Sequence, residues 1–333
     1  MQSCFAPRDI WTDNNTIVKN RTEVKNRYGY IFLRGVLMKQ TVFKGTACAI
    51  VTPFNENRKV DYKALKRQID FQIDNGTDAI VVCGTTGESA TLDTRERRQV
   101  IKTTVRHVDG RVPVIAGTGS NNTRDVIKKS LSAESLGVDA LLIVTPYYNK
   151  CSQEGLVEHY GCISESVTKP IIVYNVPSRT GVDIKPETYK RLSQLGNIVA
   201  TKEANGNLSA LMKTMMLCGD DLDIYCGNDD QSAAFTLLGG KGTISVLSNI
   251  LPQAAHDITA AALDGDADYA AALQLRYLDL CSSLFCDVNP MPVKYAMSLM
   301  GTDSGFCRLP LTRPSDAAKE TVSRTLRYHG LIE

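Results

Sequence analysis

The sequence predicts an α/β protein, a (β/α)8 TIM barrel with a C-terminal helical appendage. Short apolar, β-branched runs alternate with segments of helical period from residue 47 onward, repeating at roughly 20 to 35 residues as βα units do. Eight such units fit a closed barrel better than an open sheet. No G-x-G-x-x-G follows the first strand, and the lone Gly117-Thr118-Gly119 is too short to support a dinucleotide-binding sheet.

Residues 1–38 precede this rhythm and are read as an N-terminal extension. They are rich in asparagine (Asn14, Asn15, Asn20, Asn26), hold the only tryptophan, Trp11, and show no sustained period. An uninterrupted apolar core, as in a signal peptide, is missing, and Asp9, Asp13 and Glu23 are unlike a transit peptide. Met38 is a further candidate start, which would leave residues 1–37 outside the native protein. The catalytic barrel is expected over residues 39–265 and a C-terminal helical region over 266–333.

Strands are expected at 47–54, 78–84, 112–119, 139–146, 170–177, 197–204, 222–229 and 242–249. Between the first two, Leu65, Ile69 and Ile73 lie at i, i+4 and i+8, with Gly76 just beyond, which predicts a helix over 61–75 with a stop. The same reading places helices at 94–108, 123–136, 152–166, 186–194 and 208–218, several behind Ser, Thr or Asp caps. After the eighth unit, helices at 268–286, 292–300 and 315–327 are read as packing or subunit surface rather than chemistry.

Composition narrows the function. The chain has 333 residues, 43% of them hydrophobic, and a formal charge of +2, enough to bury a large core. Lys and Arg are interspersed with Asp and Glu, so neither nucleic acid nor an anionic membrane surface is an expected partner. The longest apolar runs are about eight residues, far below the roughly 20 that span a bilayer. The ten cysteines are too sparse for a disulfide framework, and Cys48, Cys83 and Cys226 sit in apolar strand-like runs, as reduced thiols of a cytoplasmic protein would. The four histidines are far apart and no C-x-x-C occurs, so no metal site is expected.

The chemistry starts from Asn197-Ile-Val-Ala-Thr-Lys202-Glu-Ala204, where a lysine ends a run that otherwise reads as a buried strand. Desolvation disfavours an ammonium, so a strand-end lysine facing a cavity can act as a neutral amine nucleophile toward carbonyls. Alone, it could equally cap the strand and snorkel to solvent. Its neighbours at the barrel's catalytic face favour the first reading. The second strand runs into Gly84-Thr85-Thr86-Gly87-Glu88-Ser89, where glycines let backbone N–H groups approach a ligand and adjacent hydroxyls can bind a carboxylate; the alternative is a plain glycine turn. No G-K-[ST] follows, so this is not a phosphate loop. The fourth strand ends Thr145-Pro146-Tyr147-Tyr148 and the fifth Tyr174-Asn175-Val176-Pro177-Ser178-Arg179-Thr180-Gly181. Each brings a phenol able to donate and accept a proton, and Arg179 adds a planar fork for a carboxylate. Aromatic packing and a surface ion pair are the plainer alternatives.

Gly84–Ser89, Tyr174–Gly181 and Lys202-Glu203-Ala204 resemble the signature segments of the dihydrodipicolinate synthase (4-hydroxy-tetrahydrodipicolinate synthase) family, pyruvate-dependent class I aldolases related to N-acetylneuraminate lyase. The likeness runs from about residue 40 to the C-terminus. It implies a cofactor-free lyase of lysine and diaminopimelate biosynthesis that condenses pyruvate with L-aspartate-4-semialdehyde through an imine on Lys202. It further implies a proton relay through Thr86, Tyr148 and Tyr174, with Tyr148 supplied by a neighbouring subunit. Thr85 matches the binder of the pyruvate carboxylate, Gly227 and Ile244 match backbone positions lining the pyruvate pocket, and Arg179 would hold the aldehyde's carboxylate. A homotetramer of tight dimers is the implied assembly.

Relatives that cleave sialic acid or 2-keto-3-deoxy sugar acids share the lysine and tyrosine, and the Pro-Ser-Arg-Thr-Gly loop favours the synthases over them. A non-catalytic keto-acid sensor is the reading from another class, and the intact set Thr86, Tyr148, Tyr174 and Lys202 speaks against it. Ser89, Ala90, Asn121 and Tyr147 match the family's lysine-inhibitor site. Thr94 and Arg97 stand where sensitive enzymes commonly have histidines, and Asp125 where they have glutamate. A guanidinium there repels a cationic ligand, so weak or absent lysine inhibition is expected.

Overall fold

A computed structural model describes residues 39–333. The readings made for residues 1–38, including the candidate start at Met38, lie outside the described residues. Lys39–Glu333 forms one compact unit.

Eight strands close into a parallel barrel in chain order: β1 Gly45–Ala49, β2 Ala79–Val82, β3 Val114–Gly117, β4 Ala140–Val144, β5 Ile171–Asn175, β6 Ile198–Glu203, β7 Asp223–Cys226 and β8 Gly242–Ser245. β1 pairs with β8 from Gly45 opposite Gly242 to Cys48 opposite Ser245, which closes the ring. The ladders are shorter than the apolar runs because burial continues into the loops beyond them. Ile50 and Val51, for example, are buried past the end of β1.

The expected helices are present as α1 Tyr62–Asp74, α2 Thr94–Val108, α3 Thr123–Glu134 and α4 Gln153–Ser166, then, after the single turn α5 Pro177–Thr180, as α6 Pro186–Leu192 and α7 Leu208–Cys218. The starts of α1–α4 and α7 are set by side-chain caps that satisfy otherwise orphaned N–H groups. Asp61 accepts from Lys63 and Ala64, Ser152 from Gly155, Asn207 from Ala210, and Asp93 forms a reciprocal capping box with Glu96. Three helices carry too little periodic signal to be found by pattern: α5, the six-residue α8 Ser232–Leu237, and α9 Pro252–Leu263, an alanine-rich helix buried on more than one face. The expected 268–286 helix is broken at Tyr277 into α10 Ala267–Arg276 and α11 Leu278–Ser283, followed by α12 Met291–Leu299 and α13 Asp316–Tyr328.

Period-two alternation along the strands sorts side chains between two cores. Ile172 and Tyr174 of β5, Ala200 of β6, Tyr225 of β7 and Ile244 of β8 fill the barrel interior, while Ile171 and Val173 pack outward against the helices, as does Ile198, set off from Ala200 by the irregularity in the β5–β6 ladder. Tyr225, stacked on Phe43 at 4.2 Å between ring centroids, donates its hydroxyl to Phe43 O at 2.7 Å. A third cluster joins α11, α12 and α13 to the segment after β8. No described helix is long and apolar enough to cross a membrane.

Candidate active site

Lys202 lies on β6 in register with Tyr174 of β5 and Tyr225 of β7. Alternation puts its neighbours on the other face: Thr201 and Glu203 both bond the Tyr189 hydroxyl of α6, whereas the Lys202 amine reaches over the Tyr174 ring, 4.6 Å from its centroid. Lys202 is only 5% exposed. The ring face favours a cation there. Burial raises the Asp229 carboxyl above its ordinary range, opposed by hydrogen bonds from Ser245 and from the Val246 and Leu247 amides. Those amides approach at 2.8 and 2.9 Å, tying the end of β7 to the end of β8.

Gly227, one residue past β7, donates its N–H to Glu203 O at 2.8 Å and lies against the lysine stem. Glu203 itself is buried and accepts from Asn175 Nδ2 at 3.0 Å, the Tyr189 hydroxyl at 2.8 Å and Asn205 N at 2.9 Å. Burial outweighs these donors and pushes its carboxyl up to about 7.

Thr85 and Thr86 differ in placement. Thr85 is half-buried and lines a cavity of about 670 Å³ with Arg179, Tyr147 and Asn289. Thr86 is buried, and its Oγ1 accepts from Asn289 Nδ2 at 3.0 Å. Lys202, itself buried, is not among the residues lining this cavity. Arg179, on α5, donates Nη2 to Asn289 O at 3.3 Å; Gly181 ends that turn in the left-handed conformation. Ile244 is fully buried in the barrel core with Tyr174.

Tyr148 is not gathered with these groups: it is 90% exposed, and its backbone has φ +71°, uncommon for a tyrosine. Ser89, Ala90 and Tyr147 line the cavity together with Thr94, Arg97 and Asp125, while Asn121 is not among its lining residues and accepts at its carbonyl from Asn149. Arg97 is buried and donates to Gly117 O and Ser89 O. Asp125 pairs with Lys129 at 2.7 Å, which holds its carboxyl below the ordinary range.

Sequence reasoning missed Asn289. It belongs to the region read as packing, yet its side chain bonds Thr86, its carbonyl holds Arg179, and its Oδ1 is buried without a partner. The one signal available was the conformationally restricted Asn289-Pro290-Met291-Pro292 stretch.

A sequence profile of the dihydrodipicolinate synthetase family matches residues 42–329. The chain is 48% identical over 293 residues to 4-hydroxy-tetrahydrodipicolinate synthase 1 of Clostridium acetobutylicum, covering 88% of this chain and all of that one. The synthase of Acetivibrio thermocellus is 48% identical over 295 residues, 89% of this chain and all of its own length. Among solved structures, the chloride-inhibited dihydrodipicolinate synthase of Acinetobacter baumannii, complexed with pyruvate, superposes with a TM-score of 0.86 at 42% identity, covering 88% of this chain and 100% of that one. The chain belongs to the dihydrodipicolinate synthetase family.

Proposed function

We propose that this protein is a 4-hydroxy-tetrahydrodipicolinate synthase, a lyase that condenses pyruvate with L-aspartate-4-semialdehyde on Lys202. The observation that carries the reading is the Lys202 amine, turned into the barrel at the C-terminal end of β6 and set over the Tyr174 ring. The relatives' name favours the synthase over a sugar-acid aldolase.

In this reading the Lys202 nitrogen attacks C2 of pyruvate and water leaves, giving an iminium. Loss of a C3 proton forms the enamine, whose carbon adds to the aldehyde; cyclisation returns the amine. The iminium itself is the electron sink, so the residues need only move protons and hold carboxylates. Tyr174 is placed to serve the imine nitrogen, and Tyr148, exposed in one chain on a left-handed backbone, is suited to reach the site of a partner subunit. A tight dimer would supply it, and the resemblance to the family extends this to a homotetramer in the cytoplasm.

A relay hydroxyl must both donate and accept. Thr86 is buried and accepts from Asn289, which leaves its O–H free to donate and keeps it eligible for the relay, while Thr85, half-buried, lines the cavity and serves the pyruvate carboxylate with the loop backbone. Gly227 and Ile244 shape the pocket floor, and Arg179 receives the aldehyde's carboxylate.

Borohydride reduction in the presence of pyruvate tests the reading. A covalent adduct on Lys202 that disappears in Lys202→Ala, together with turnover of pyruvate plus aspartate semialdehyde, is expected. Turnover of N-acetylneuraminate or a ketodeoxy sugar acid instead would transfer the chain to the aldolases.

A further inference from the structure

The loop Gly84–Ser89 is fastened by a pair of charges for which the reaction above has no use. The Glu88 carboxylate and the Lys294 ammonium meet at 2.8 Å with both side chains fully buried. Lys294 Nζ also donates to Thr52 O at 2.9 Å and lies 4.3 Å from the Phe54 ring centroid. The second Glu88 oxygen accepts the Arg308 backbone N–H at 2.9 Å. Both Glu88 oxygens and two of the three Lys294 N–H groups are thus hydrogen-bonded.

A buried ion pair is a poor route to stability, because both ions lose hydration and apolar residues of like volume often do as well or better. What this pair supplies is position. Glu88 has φ +50°, a left-handed conformation uncommon for glutamate. One residue earlier, Gly87 O accepts from the Thr52 hydroxyl at 2.7 Å. The turn is therefore held at two consecutive residues, both through Thr52 and one through α12, immediately after the two threonines. Thr86 is held independently from the same C-terminal side by Asn289.

We propose that Glu88 and Lys294 are positioning residues of the reaction: the buried pair locks the left-handed turn that sets the Thr85 and Thr86 hydroxyls, one against the pyruvate carboxylate and the other in the proton relay. The inference rests on the imine reading above. It makes the C-terminal helices part of the catalytic apparatus through the loop they hold, not through contact with substrate.

The test is exchange of the pyruvate methyl protons for deuterium in D2O, without aldehyde, which requires imine formation, proton loss and return through the relay. The double variant Glu88→Gln/Lys294→Met removes both charges and keeps volume. It is expected to fold, to be labelled on Lys202 by pyruvate and borohydride, and to exchange about tenfold or more slowly, the scale of lost acid–base positioning. A folded double variant that exchanges at the wild-type rate overturns the proposal. Should that variant fail to fold, Glu96→Gln is read instead. Glu96 holds the Arg308 side chain through two bonds of 2.6 Å, and glutamine keeps the capping box of α2. Exchange slowed about threefold supports the proposal and an unchanged rate overturns it. A wild-type protein that neither labels nor exchanges would remove the imine reading and this proposal together, an outcome distinct from a defect confined to the variants.

Discussion

Gly227→Ala tests whether the pocket floor is fitted to the lysine stem. The first side-chain atom at this position would land 2.7 Å from Ala204 Cβ, 3.0 Å from Glu203 O and 3.1 Å from Lys202 Cε. Carbon atoms rest at about 3.5 to 4.0 Å, so all three contacts are too close. Two of the neighbours are anchored. Ala204 N donates to Asn175 O at 2.9 Å, and Glu203 O accepts from Gly227 N itself. The lysine stem is the movable neighbour, and the added methyl displaces the nucleophile. Overpacking of this kind costs about 1 to 3 kcal/mol, a melting decrease on the order of 5 °C for a chain of this size. A reacting group moved by about 1 Å costs on the order of a hundredfold in rate. Thermal melting and the rate of borohydride trapping with pyruvate read the two effects separately. A variant that melts with wild type and is trapped at the wild-type rate refutes both the packing and the placement of Lys202.

Arg179→Ala is expected to leave pyruvate-dependent labelling of Lys202 near wild type while lowering kcat/KM for the aldehyde about a hundredfold, the loss of a charge-assisted fork; steady-state kinetics with labelling decide, and equal loss of both counts against the role. Glu203 is pushed up to about 7 from an ordinary 4.5, so the unfolded chain ionises first as pH rises. Its stabilising share, complete below about pH 4.5, is withdrawn up to about pH 7, by about 3 kcal/mol. Denaturant melts of Glu203→Gln should therefore gain on wild type between pH 4.5 and 7, and a stability difference that is the same at pH 5 and pH 8 refutes this. Lysine titrated into the purified enzyme should inhibit weakly or not at all, because Asp125 is already paired with Lys129 and buried Arg97 repels a cation; strong inhibition at low lysine refutes it.

The barrel was legible because its signal is repetition: eight buried runs, most of them separated by a segment of helical period, can close in few other ways. Lys202, Tyr174, Thr85 and Thr86 were legible because strand ends converge on one face, so a chemistry-bearing residue at the end of a run declares its location. Asn289 and Lys294 were not. They follow the eighth unit, where no periodicity relates a residue to the barrel mouth, and each acts through a contact about 200 residues away in sequence. A buried lysine in α12 reads in sequence like any exposed helical lysine. Tyr148 was legible as a phenol at a strand end, but its exposure is a property that only the fold reveals.

Where the backbone is forced is itself informative. Among the described residues five other than glycine have positive φ: Arg58, Cys83, Glu88, Asp109 and Tyr148. Asp109 closes α2 in the left-handed conformation common at helix ends, a local device with no bearing on the site. The other four all follow C-terminal ends of strands, Arg58 after β1, Cys83 and Glu88 after β2, and Tyr148 after β4. Each such residue costs of order 1 to 3 kcal/mol, and such conformations persist only where the surroundings over-determine them. The buried Glu88–Lys294 pair and the unpartnered Asn289 Oδ1 add to the cost at the same face. A fold selected for stability alone has no reason to gather its departures from local preference at one end of the barrel. Gathered there, around Thr85, Thr86 and the Lys202 amine, they mark the end of the barrel on which the proposed reaction would make its geometric demands.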